Sequence, residues 1–194
     1  MLSRREFGKL SGLWLFLVSI GSTIWMTGCN VFDDILAWIP VATNAIDGIV
    51  AVLGTLVTPS AAAAITTIKA LLDDLAAAVQ AYLADTNPAD KSTLLAKIRT
   101  FLAAIMSSFQ NFLDTLMLNG NPILKIVLGL ATIILSALAG FLGQLPTPTP
   151  APASFRLSGQ TVPITPKYYK HVKDFKSDWN AAAVQNGHPE IQIH

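Results

Sequence analysis

The chain has 194 residues, with 13 Lys/Arg against 12 Asp/Glu for a formal net charge of +1; 52% of its residues are hydrophobic and only 13% charged. So even a charge balance excludes the basic face that a nucleic-acid binder needs, and a single cysteine excludes a disulfide within the chain. The length suits one domain plus a tail.

Arg4, Arg5 and Lys9 give the chain a positive start. The stretch from Leu13 to Trp25 is uncharged and mostly apolar, and shorter than the roughly 20 residues that cross a bilayer comfortably. Small residues, Thr27 and Gly28, then precede Cys29. This order reads as a secretory signal over residues 1–28, outside the fold. The segment Ser3-Arg4-Arg5-Glu6-Phe7-Gly8-Lys9 resembles the twin-arginine export motif, with Arg4, Arg5, Phe7 and Lys9 on its characteristic positions and Gly8 where Leu is common. Met26-Thr27-Gly28-Cys29 resembles a bacterial lipobox, with Met26 where Leu is preferred. Together these resemblances cover 29 of the 194 residues. They imply an exported protein whose membrane partner is reached through lipid on Cys29, held firmly because several acyl chains each add apolar burial. An uncleaved N-terminal anchor is the rival reading.

From Val31 the residues predict helices. Asp33 and Asp34 suit a first turn, and Pro40 should break the segment, giving one helix to about Ile39 and another from about Thr43 to Leu56. Thr58-Pro59-Ser60 reads as a turn, with Ser60 as the cap of the next helix. There Ile65, Ile68, Leu72, Leu75, Val79 and Tyr82 repeat at alternating steps of three and four, an amphipathic seam. Asn87 can cap a third helix with Pro88 at its first position. Its seam is Leu95, Ile98, Leu102, Ile105, Phe109, Phe112 and Leu116. Asn119-Gly120-Asn121-Pro122 is a strong turn signal. The run from Ile126 to Leu142 has no charge and no polar face, which makes it the central helix of a bundle or a membrane element. Short loops favour antiparallel neighbours. The expected fold is therefore all-α: an antiparallel helical bundle of about four helices over residues 29–145.

Alternating proline from Pro146 to Ala153 predicts an extended spacer. Within 146–164 a short hairpin about Ser158-Gly159 is also expected, its second arm weakened by Pro163. Residues 165–194 should form a short amphipathic helix and tail, with Thr165 as cap, Pro166 at the first position and Gly187 as stop. At 100° per residue, Tyr168, Val172, Phe175 and Trp179 share one aromatic face. That face is the candidate interaction surface of the 165–186 helix. It can dock on its own bundle, bind a protein partner, or lie on a membrane with help from the surrounding lysines.

Signals for chemistry are weak. His188, Glu190 and His194 are close in sequence, but their spacing fits no helical zinc motif and the chain end is expected to be mobile, so no metal is assigned. The pairs Asp33-Asp34 and Asp73-Asp74 are adjacent, and adjacent helical residues do not face each other as paired catalytic carboxylates must. No glycine-rich phosphate loop or nucleophile elbow occurs. The expectation is an exported lipoprotein of the bacterial cell envelope, without catalytic residues or cofactor, serving a structural or protein-interaction role. The alternative is a membrane-inserting protein that uses the apolar 122–145 helix. A bundle holding an apolar ligand between its helices is a third reading.

Overall fold

The computed structural model describes residues 11–116, 123–146, 154–157 and 160–194, with side-chain surroundings from Val31 onward except at 155–157 and 160. Among these residues there are five α-helices and one two-stranded hairpin: α1 (Ser11–Leu53), α2 (Pro59–Ala84), α3 (Pro88–Thr115), α4 (Ile123–Gln144), β1 (Ser154–Leu157), β2 (Gln160–Pro163) and α5 (Val172–Gln185). The protein is an all-α helical bundle.

The seams fold as their spacing dictates. Ile65, Ile68, Leu72, Leu75 and Val79 of α2 are buried, as are Ile98, Leu102, Ile105, Phe109 and Phe112 of α3. Asn87 Oδ1 accepts the Ala89 N–H at 3.1 Å, while its amide donates to Asp90 at 2.7 Å. This starts α3 with Pro88 in the first turn, where a missing N–H costs nothing. The α1–α2 pair is antiparallel: Phe32 meets Tyr82 at 4.1 Å between ring centroids, and Asp47 pairs with Lys69.

Two boundaries in α1 and α2 differ from the sequence expectation. Pro40 does not break α1, which runs through it. The ring sits on the exposed side of the helix, where water can solvate the carbonyl left without its N–H partner. Asp33 and Asp34 therefore lie within a long helix rather than in a first turn. At α2 the cap is Thr58, not Ser60: the Thr58 hydroxyl accepts the Ala61 N–H at 3.1 Å and Pro59 takes the first position.

The apolar α4 is the central helix. From Ile134 to Leu142 every residue is buried. By length and composition Val31–Leu56 and Ile123–Gln144 could each cross a membrane, yet 50% and 67% of their most apolar windows are buried inside the protein. The hairpin pairs Ser154 with Pro163 and Leu157 with Gln160, and β1 rests on α3. Pro163 stands at the last rung, where a lost donor matters least. The Asn119–Pro122 turn, the 147–153 stretch of the spacer, Ser158-Gly159 and the export-motif residues Arg4, Arg5, Phe7 and Lys9 lie outside the described residues. Cys29 falls within α1.

Candidate interaction face and anchoring segment

The final segment is built differently from a helix capped at Thr165. The helix starts only at Val172, with His171 as an N-cap that contributes no side-chain bond. The residues before it cross α4 as an extended strap. Gly140 makes the crossing possible: a β-carbon there would lie 2.4 Å from the Lys167 carbonyl carbon and 2.6 Å from the Tyr168 nitrogen. At the same place the Lys167 N–H donates to the Ser136 carbonyl at 2.9 Å. In a helix capped at Thr165 that first-turn N–H would have no carbonyl of its own helix to bond; here α4 supplies one. Contact with α4 decides the matter against local propensity.

The four residues of the candidate face are thus split. Tyr168 belongs to the strap, and Val172, Phe175 and Trp179 to α5. Phe175 and Trp179 are completely buried, while Tyr168 and Val172 are half-buried. Phe175 packs edge-on against Trp38 of α1 at 5.9 Å and against Tyr169 at 5.3 Å. Trp38 in turn meets Phe141 of α4 edge-on at 5.3 Å, the geometry that aromatic quadrupoles favour. The Trp179 ring lies over Gly48, where a β-carbon would come within 3.1 Å of it, and its N–H donates to the Ile191 carbonyl at 2.9 Å. The aromatic face points into the groove between α1 and α4.

Polar bonds fasten the strap. The Tyr168 hydroxyl donates to Asp34 of α1, and the Tyr169 hydroxyl donates to Asp178 at 2.7 Å. Lys167 pairs with Asp178 and lies 4.9 Å from the centre of the Tyr169 ring. Burial first, and then the neighbouring carboxylate, pushes each phenol well above the ordinary tyrosine range. Burial alone would raise Asp178, but hydrogen bonds from Lys167 and Tyr169 and the Lys167 charge outweigh it and hold the carboxyl below its usual value.

The helix ends where Gly187 was expected to stop it. Gly187, at φ 80°, sits just past the end. Its N–H reaches the Val184 carbonyl at 3.0 Å, and the His188 N–H reaches Ala183 at 2.9 Å. These are the two bonds of a Schellman cap.

The chain end is not the mobile tail that its composition suggested. Ile191 and Ile193 are buried. The Asn180 side chain pairs with the main chain of Ile193 in both directions, accepting its N–H at 2.8 Å and donating to its carbonyl at 3.1 Å. The alternation of isoleucines in Ile191-Gln192-Ile193 was the available signal for this one-sided burial. Between the tail and α1 lies an open cleft of about 300 Å³ lined by Asn44, Asp47, Gly48 and residues 190–194.

His188 meets Glu190 at 2.7 Å, and that hydrogen bond holds the glutamate below its ordinary range. His171 and His194 are exposed. Among the described residues no group of three His, Cys, Asp or Glu is placed to hold a metal. Asp73 and Asp74 are exposed, side by side on the outer face of α2.

A scan against family models finds no match, and searches of curated proteins and of solved structures return none either. The fold and these sites therefore define a class, an all-α bundle closed by its own C-terminal segment.

Proposed function

We propose that this chain is an exported bacterial lipoprotein, anchored at the cell envelope through Cys29 and acting there as a structural or protein-binding element rather than a catalyst. The observation that carries the reading is the opening of the sequence: the charged Ser3–Lys9 motif, the short apolar run and Met26–Cys29. With Phe175 and Trp179 turned inward, a protein partner of the final helix would meet its outer side, where Lys173, Asp174, Ser177 and Val184 are exposed. Replacing Cys29→Ser should leave the precursor unprocessed and free of label from radioactive palmitate; a variant that still takes up label removes the proposal. Arg4→Lys with Arg5→Lys should strand the chain in the cytoplasm, and unchanged export would exclude the twin-arginine route.

A second reading has its own support. Val31–Leu56 and Ile123–Gln144 each have the length and composition of a membrane span, so a chain that opened could insert both. Solubility of residues 30–194 separates the two. A detergent-free, helical monomer or small oligomer favours the anchored bundle. Aggregation relieved only by detergent, with leakage from loaded liposomes, favours insertion.

A further inference from the structure

α1 continues without interruption from Ser11 to Leu53. Residue 29 and the first core residues are therefore on one rigid rod. Val31 is 2% exposed and Phe32 0%, so the core begins within one helical turn, roughly 5 Å, of residue 29. No flexible tether separates the anchoring point from the bundle.

The neighbours of that pole follow from the contacts. Tyr82 faces Phe32 on the antiparallel α2, so Asp85, three residues further on, reaches about the height of residue 29. Lys91 lies 5.2 Å from the Tyr82 ring and keeps the start of α3 at the same pole. The end of α4 stops short of this pole: Arg99, which donates to the Pro146 carbonyl, is about 16 Å along α3 from Pro88. The opposite pole holds the Gly54–Leu56 turn and the Thr58 cap, at the far end of the 26-residue α2, about 38 Å away.

We infer that the pole formed by Val31–Asp34 and the α2–α3 turn faces a lipid surface, with the bundle standing end-on and its α1–α2 turn pointing away from the bilayer. This rests on the membrane attachment proposed above, but not on its form. A lipid on Cys29 and an uncleaved apolar helix would put the same pole down, because α1 is continuous. The pole's own charge does not create the orientation: Asp33 and Asp90 are exposed there and Asp34 and Asp85 are half-buried, against one lysine, Lys91. The competing arrangement is a bundle lying on its side, with the exposed Lys170 and Lys173 against anionic lipid.

The test uses the full chain, exported by its host, purified in detergent and reconstituted into vesicles of phosphatidylcholine and phosphatidylglycerol. Thr86→Cys, Ser60→Cys and Ser177→Cys, each at an exposed position, carry a fluorophore, and the quencher is a nitroxide on lipid headgroups. Cys29 is the only native cysteine, so any label on it is a background common to all three variants. The expected result is several-fold stronger quenching at Thr86→Cys than at Ser60→Cys, with Ser177→Cys between them. Equal quenching at Thr86→Cys and Ser60→Cys, or the strongest quenching at Ser177→Cys, overturns the orientation while leaving the attachment standing. Failure of the chain to float with the vesicles overturns the attachment and the orientation with it. The mass of the N-terminal peptide tells lipid from uncleaved helix.

Discussion

Replacing Gly140→Ala should destabilise this protein although it improves a helix. Alanine in a helix interior is favoured over glycine by about 1 kcal/mol. Here the new methyl would stand 2.4 Å from the Lys167 carbonyl. That is roughly 1 Å inside ordinary contact, and the atom it meets is backbone that cannot swing aside. Overpacking of this kind costs about 1–3 kcal/mol. Lifting the strap also breaks the bond from Lys167 to the Ser136 carbonyl, worth about 1 kcal/mol net. The balance is a loss of about 1–3 kcal/mol. Gly129→Ala in the same helix is the control. Its nearest neighbour would be Asn186 Nδ2 at 3.9 Å, so the propensity gain of up to about 1 kcal/mol should survive. At this chain length each kcal/mol moves the melting temperature by about 2–4 °C. Thermal melts of the full chain in mild detergent, followed by circular dichroism, should move in opposite directions for the two variants. A Gly140→Ala protein melting at or above the parent would refute the strap as a tightly fitted element.

Other perturbations test other joints. Trp179→Ala should cost about 3–5 kcal/mol, the range for emptying a fully packed aromatic site. Val184→Ala, on a residue 53% exposed, should stay within about 0.5 kcal/mol in the same melts; equal effects would mean α5 is not held by its inner face. Thr58→Ala should lower stability by about 1 kcal/mol through loss of the cap, and Ser60→Ala should not, a contrast that urea titration resolves. The phenols of Tyr168 and Tyr169 are held protonated in the folded state beyond their ordinary value of 10.0. Their contribution is therefore complete below about pH 10 and is lost as the pH rises further. Melting temperature should fall above that point, and less steeply in Tyr168→Phe with Tyr169→Phe; an unchanged slope would show that the two hydroxyls do not matter. Asp178, held below 3.8, has the opposite sign: its stabilisation is present above that value and is lost as the pH falls through the lower folded pKa. Asp178→Asn should flatten the acid limb of the same curve, and an unaltered limb would remove Asp178 as its source.

The bundle was legible where one physical rule acted alone. Steps of three and four put Ile65 to Val79 and Ile98 to Phe112 inside, because a helix with one apolar stripe has one way to bury it. Asn87-Pro88 and Gly187 were legible because caps are local chemistry. What escaped the sequence depends on partners far along the chain. Pro40 is a breaker by its own geometry, but its exposed position within a packed helix overrides that. Thr165-Pro166 is a good start signal. It loses because the strap gains more from Gly140 and Ser136 of α4 than from a first helical turn. The aromatic face was visible as a face. Which surface it met depended on Gly48, Gly140 and Trp38, none of which is marked out locally.

The bond between Tyr168 and Asp34 joins residues 134 positions apart, and it bears on how the protein is made. The groove that receives Phe175 and Trp179 is formed by α1 and α4, while the side chains that fill it come from the last stretch of the chain. Until those residues have been synthesised, Trp38 and Phe141 have only part of their cover. A nascent or prematurely terminated chain would display that groove to chaperones and proteases as an unfinished apolar surface. Closure of the groove thus distinguishes a finished molecule from an interrupted one.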